Sequence, residues 1–149
     1  MNQIPEEPEA QVQKEIQGES GKLIVFDLRT LSQFKGKEPY VQVLSDVGAA
    51  RIVLFAFKAG QQLQEHSTSS QILVQALRGR ITFTAAGSSV EAQAGMVLQL
   101  EANVPHSVVA KTDAVMLVTM TPSPSYHSLE REVFQNLTPL VTRTTSDRE

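Results

Sequence analysis

The chain is broken into short apolar runs, each too brief to make a helix and each closed by a turn signal. Leu23–Asp27, Tyr40–Leu44, Arg51–Lys58, Gln71–Leu77, Arg80–Thr84, Val90–Gln93, Met96–Leu100, Ser107–Ala110 and Val115–Thr121 are four to eight residues long and mostly rich in Val and Ile. Turns fall at Ala59-Gly60, Arg78-Gly79, Ala86-Gly87-Ser88-Ser89, Ala94-Gly95 and Ala102-Asn103. Short β-branched runs with Gly or Asn between them are strands. A succession of strands with no helix between them excludes a parallel sheet built on crossover helices and predicts an all-β sandwich or barrel. Ile81-Thr82-Phe83-Thr84 alternates, as a half-buried strand should, whereas Ile52 to Phe57 is apolar at every position. That second pattern requires cover on both faces of the strand, from a packed segment or from another subunit.

The two ends differ from this middle. Residues 1–20 carry five Glu against Lys14, with Pro5 and Pro8 among them, and are expected to form a mobile acidic arm. The rival for this segment is a short helix with Val12 and Ile16 at i, i+4. Residues 21–125 form the expected barrel domain, and 126–149 a C-terminal helix and tail. Leu129, Val133, Phe134 and Leu137 recur at helical spacing, which predicts one short amphipathic helix near 127–137, stopped by Pro139.

Several chemistries are excluded early. The chain has no Cys, so disulfides, thiolate metal sites and thiol catalysis are absent. It has no Gly-x-Ser-x-Gly and no glycine-rich phosphate loop. A net charge of −3 with scattered basic residues gives no basic face for nucleic acid. No apolar stretch approaches the roughly 18 residues of a membrane span, and Met1 to Glu19 has no signal-peptide pattern. The expectation is a soluble, cytoplasmic protein with no nucleic-acid or membrane partner.

Two segments carry histidine at informative spacing. From Gly60, five residues lead to His66; Thr68 stands two further on, Ile72 follows after three more residues, and six residues then reach Gly79. From Gly95, five residues lead to Glu101, then come Asn103, His106 and Ala110. This resembles the paired motifs of the cupin superfamily. The first of these reads Gly, five residues, His, one, His, three or four, Glu, six, Gly; the second reads Gly, five, Pro, one, Gly, two, His, three, Asn. Gly60, His66, Gly79, Gly95 and His106 agree with the pattern; Thr68, Ile72, Glu101, Asn103 and Ala110 depart from it. The resemblance implies an all-β double-stranded β-helix, a jelly-roll barrel. Gly79 and Asn103 suit turns of positive φ, which Gly permits freely and Asn tolerates.

Strand alternation puts His66 and Thr68 on one face, and Ile72, Val74 and Ala76 on one face of the next strand. The resemblance implies that this face lines the barrel interior, where a typical cupin offers three imidazoles and a carboxylate to a divalent metal. Here His66 and His106 remain, with Thr68 and Ile72 in the vacated positions, and Ile81 and Phe83 are expected to share the inward face. An ion held by neutral ligands alone would keep its full charge in an apolar pocket, which is costly. Glu65 and Gln71 face away by strict alternation, and Glu101 sits at a turn; only a bulge would bring any of them in. His127 lies outside both motifs at the start of the predicted helix, and Arg78 and Arg80 flank Gly79 at a solvated strand end.

The candidate ligand-binding residues are therefore His66, Thr68, Ile72, Val74, Ile81, Phe83 and His106, with no catalytic residue assigned. The leading reading is a binding module, without a cofactor, for a small acid or phenol. Imidazoles that charge just below neutrality would suit such a ligand. The alternative is a metal-dependent dioxygenase or isomerase with Fe, Mn, Ni or Zn on His66 and His106; a third is a structural role in which the cavity is only core. A homodimer is expected, from the habit of small members of the family and from the two-faced strand Ile52–Phe57.

Overall fold

The computed structural model describes residues 13–31, 34, 36–134 and 137–142. The chain divides into two units, Met1–Ser32 and Gln33–Glu149. In the first, β1 (Gln13–Gly18) pairs antiparallel with β2 (Gly21–Phe26), from Gln13 opposite Phe26 to Gly18 opposite Gly21. A single helical turn, α1 (Leu28–Leu31), follows. Residues 13–18 are thus a strand, where the sequence pattern suggested arm; Ile16 is the only large apolar residue in β1, so the run has no alternation to betray it. Ile16, half of the rival helical pair, is in this strand; Glu19 and Ser20 form the turn to β2, and residues 1–12 of the expected arm lie outside the described residues.

The second unit is a double-stranded β-helix. A six-stranded sheet runs in the order β12 (Val141–Thr142), β3 (Tyr40–Asp46), β4 (Arg51–Phe57), β11 (Ala114–Thr121), β6 (Gln71–Arg78), β9 (Val97–Leu100). A four-stranded sheet runs β5 (Gln62–His66), β10 (His106–Ala110), β7 (Arg80–Ala85), β8 (Ser88–Gln93). From β4 to β7 and from β8 to β11 the chain passes back and forth between the sheets, with β7 and β8 joined as a hairpin in the smaller one, which is the jelly-roll path. All pairings are antiparallel except β12 with β3.

Each apolar run of the sequence is a strand, and alternation sends one side inward. Val53, Phe55 and Phe57 of β4, Ile72, Val74 and Ala76 of β6, and Met116, Val118 and Met120 of β11 meet Leu63, Phe83 and Val108 of the other sheet in one core. β4 is buried on both faces, as its composition demands: Leu54 and Ala56, on the outer face, are both 0% exposed in the single chain. That face therefore asks for no partner subunit, and this part of the case for a dimer falls away.

Two elements differ from expectation. β5, with the sequence Gln-Leu-Gln-Glu-His, lacks the Val and Ile of its neighbours and is held by pairing with β10, not by propensity. The helix expected over 127–137 is a five-residue π-helical turn, Glu130–Phe134. Leu129 and Phe134, five apart, are both buried against the barrel end, a spacing that the wider π-turn serves better than a regular helix. Arg51 holds this turn: its guanidinium lies 3.0 Å from Asp46, 3.3 Å from Glu130 and 5.6 Å from the centre of the Phe134 ring.

Gly79 and Asn103 have φ of 71° and 66°, as their places in the motifs suggested. At Gly79 the requirement is double, because a Cβ there would stand 2.0 Å from the Asp113 carbonyl oxygen and 2.9 Å from Ala114 Cα. Gly60, with φ of 87°, faces open space. Gly79→Ala is therefore expected to lower stability by about 3 kcal/mol or more, and Gly60→Ala by about 1 kcal/mol. Urea unfolding midpoints of the two variants check this; equal losses would show that the close approach at Gly79 is relieved at no cost.

Candidate functional site

The inward face closes around a cavity of about 20 Å³ in which three imidazoles meet. Roughly 10–15 Å³ of such volume accommodates one water, so the space is on the scale of a very small polar group. Its walls are apolar: Phe55 from β4, Leu63 from β5, Ile72 and Val74 from β6, Phe83 from β7, Val108 from β10, and Met116, Val118 and Met120 from β11. The polar residues are Thr68, His66, His106 and His127.

β5 and β10 deliver the first two histidines, which stand opposite each other in register, with ring centres 4.1 Å apart. The pairing is irregular between His106 and Val108, so that Leu63 and His66, three residues apart, are both buried. That is the bulge the sequence did not announce, and it brings in no carboxylate. Glu65, Gln71 and Glu101 remain exposed.

His127 arrives from elsewhere. After β11 the chain runs back along the loop 67–70 as a strap, stitched by backbone and serine groups. Ser69 N–H donates to Tyr126 O at 2.9 Å, Ser128 N–H to Ser67 O at 3.1 Å, and the Ser69 hydroxyl accepts from the backbone of Ser125 and Tyr126 at 3.0 and 3.1 Å. This strap places His127 in a β-bridge with Thr68, its ring stacked near His66 with centres 5.6 Å apart and edge-on to Phe134 at 4.8 Å. An imidazole from outside both motifs thus enters beside the position where the family pattern has its second His. Sequence reasoning left it out because nothing local marks it. The one available cue was that 67–70 and 123–128 are both serine-rich, so that each could bond the other's backbone.

Of the expected residues, His66, Thr68, Ile72, Val74, Phe83 and His106 all line the cavity, and Phe83 stacks on His106 with ring centres 5.4 Å apart. Ile81 does not. It lies two residues further down β7, opposite Ala110, and is packed in the core at 1% exposure.

The electrostatics differ from the sequence expectation. Burial pushes His66 down to about 4, aided by the nearby His106 and opposed by its hydrogen bond to Gln64; His127 falls to about 3 through burial and the charges of His66, Arg51 and His106. Burial also lowers His106. The imidazoles are therefore neutral near pH 7 and do not supply the positive charge just below neutrality that would suit a small acid.

The donor set also tests the divalent metal that the fold suggests. His66 Nδ1 donates to Gln64 O at 2.6 Å and His106 Nδ1 to Val104 O at 3.0 Å, leaving a lone pair on each Nε2. His127 Nδ1 instead accepts the Leu129 N–H at 3.1 Å, so its proton is on Nε2 and no ligating lone pair faces the cavity. The Thr68 hydroxyl donates to Tyr126 O, and Ile72 stands in the carboxylate position. Among the described residues, no three His, Asp or Glu side chains are arranged to hold a metal ion. Two neutral nitrogens without a carboxylate do not fit a buried divalent cation.

A family model described as "Cupin domain" matches residues 53–122. The chain is 32% identical to an RmlC-like cupin protein from Desulfovibrio desulfuricans, with a TM-score of 0.57, over 60% of this chain and 88% of that one. It also superposes on a cupin superfamily protein from Desulfitobacterium hafniense, at 21% identity and TM-score 0.60, over 63% and 86% of the two chains. A conserved protein of unknown function from Streptococcus pyogenes is similar at 20% identity and TM-score 0.60, over 75% and 95%. Comparison with curated proteins returns no match. The chain belongs to the cupin superfamily. Among the described residues, no helix is long and apolar enough to cross a membrane.

The buried imidazoles make stability depend on pH. The unfolded chain binds protons near the ordinary histidine pKa of about 6.5, while the folded chain resists them, so stability is full above pH 6.5 and falls as pH drops. For His66 the loss continues to about pH 4, and for His127 to about pH 3. Each group costs about 1.4 kcal/mol per pH unit within its window. Unfolding free energies at pH 7.5, 6.0 and 5.0 should decline mainly below pH 6.5, by about 1.4 kcal/mol per pH unit for each such group, and His127→Phe should remove one group's share; a flat profile would mean that these rings are solvated.

Proposed function

We propose that this cupin is a small-molecule-binding module. The observation that carries the reading is the cavity itself: three imidazoles, each less than a tenth exposed, face one small space with otherwise apolar walls. An apolar pocket with a few convergent polar groups is the usual form of a ligand site. The mass spectrum of the native protein, isolated from cells and compared with the denatured chain, is expected to show an organic small molecule released on unfolding. A stoichiometric divalent metal that survives dialysis, with no organic species, would overturn this in favour of a metal-dependent dioxygenase or isomerase working through His66 and His106.

We also propose that the protein is a homodimer, on a different footing from the two-faced strand. On the outer side of the six-stranded sheet, Leu73 and Leu77 of β6 and Val97 of β9 are 39%, 38% and 57% exposed. They lie together at a sheet edge, since Val97 is paired with Gln75, between the two leucines. Apolar groups clustered at an edge favour association. Sedimentation at micromolar concentration is expected to show a dimer that Leu73→Glu with Val97→Glu converts to a folded monomer. A monomeric parent protein would refute the proposal.

A further inference from the structure

The three Nε2 atoms have a polarity that selects a ligand. His66 and His106 spend their Nδ1 protons on the Gln64 and Val104 carbonyls, so each Nε2 carries an accepting lone pair on a ring that lines the cavity. His127 spends its Nδ1 lone pair on the Leu129 N–H, so its Nε2 carries a donating N–H on the third such ring. None of the three Nε2 atoms has a hydrogen-bond partner among the described residues, and no buried side-chain nitrogen or oxygen there lacks one. The Nε2 atoms are therefore not sealed off, and each retains surface that a water-sized group can reach. The Thr68 hydroxyl donates to Tyr126 O and accepts from the Ser70 N–H at 3.4 Å, and every remaining wall residue is apolar.

We propose that the cavity takes the primary amide end of an uncharged ligand, with His66 and His106 accepting its two N–H hydrogens and His127 donating to its carbonyl oxygen. This rests on the reading of the cavity as a small-molecule site and names the ligand class for it. A primary amide presents two donors and one acceptor in one plane, the complement of two acceptors and one donor; a single water presents the same complement and is the occupant that the amide end displaces. A carboxylate of the same shape has acceptors only. It would face two lone pairs in a site with no cation within it, and a mismatched polar contact in a closed pocket is strongly rejected. His127 is then the specificity-determining residue: replacing its N–H by a lone pair would reverse the selection at one corner of the site.

Formamide and formate form an isosteric pair small enough to test this. Because the chain has three histidines, long-range proton–nitrogen correlation spectra at pH 7.5 report each ring's tautomer separately. His66 and His106 are expected to carry their protons on Nδ1 and His127 on Nε2. Formamide, at the millimolar concentrations to which so small a molecule is limited, should shift all three Nε2 signals. Formate should bind at least tenfold more weakly, and His127→Phe should weaken formamide at least fivefold. A His127 proton on Nδ1 would overturn the proposal whether or not the variant folds. Formate binding as well as formamide would refute the ligand class while leaving the small-molecule reading in place. No response of the rings to either probe would remove that reading and the proposal together.

Discussion

The register of β11 between β4 and β6 is the constraint on which the barrel and its cavity depend. Met116, Val118 and Met120 stand opposite Ala76, Val74 and Ile72 on one side, and Met116 and Val118 opposite Phe55 and Val53 on the other. All of these point inward, so one strand positions much of the apolar wall around the imidazoles. A slip of one residue would turn the three inward groups outward and bring Leu117 and Thr119 into the core. The alternation along β11 therefore specifies the site as well as the fold.

Around that strand the polar content of the interior is kept very low. Each buried imidazole satisfies Nδ1 locally, with a carbonyl two residues before it or an N–H two residues after it. Such short-range bonds fix ring orientation and tautomer without a carboxylate, which is how the cavity stays neutral. A neutral interior avoids the cost of buried charge, and the polar character it keeps lies in the direction of its hydrogen-bonding groups.

Much of this was legible in the sequence, for a physical reason. Val- and Ile-rich runs encode strands because the same side chains that favour an extended backbone fill the core, and positive φ at Gly79 and Asn103 leaves a mark in residue type. The two motif histidines were legible because they sit at set distances from glycines. What escaped was long-range. β5 is polar along its length and exists through its pairing with β10; β1 depends on β2 in the same way. The π-turn at Glu130–Phe134 shows the apolar spacing of a helix, and only contact with the barrel end decides which turn forms. His127 escaped because its place is set by the pairing of a strap with a loop more than 50 residues away in sequence.

That strap has an evolutionary consequence. A side chain borne by a barrel strand is tied to the inside–outside alternation of its neighbours, so its replacement is constrained by the whole sheet. Residue 127 belongs instead to a segment held by serine and backbone bonds, with a single bridge to Thr68. Its side chain takes no part in that lacing, so a substitution there in a descendant of this chain would change the polarity of the cavity while leaving every inward-facing strand residue in place.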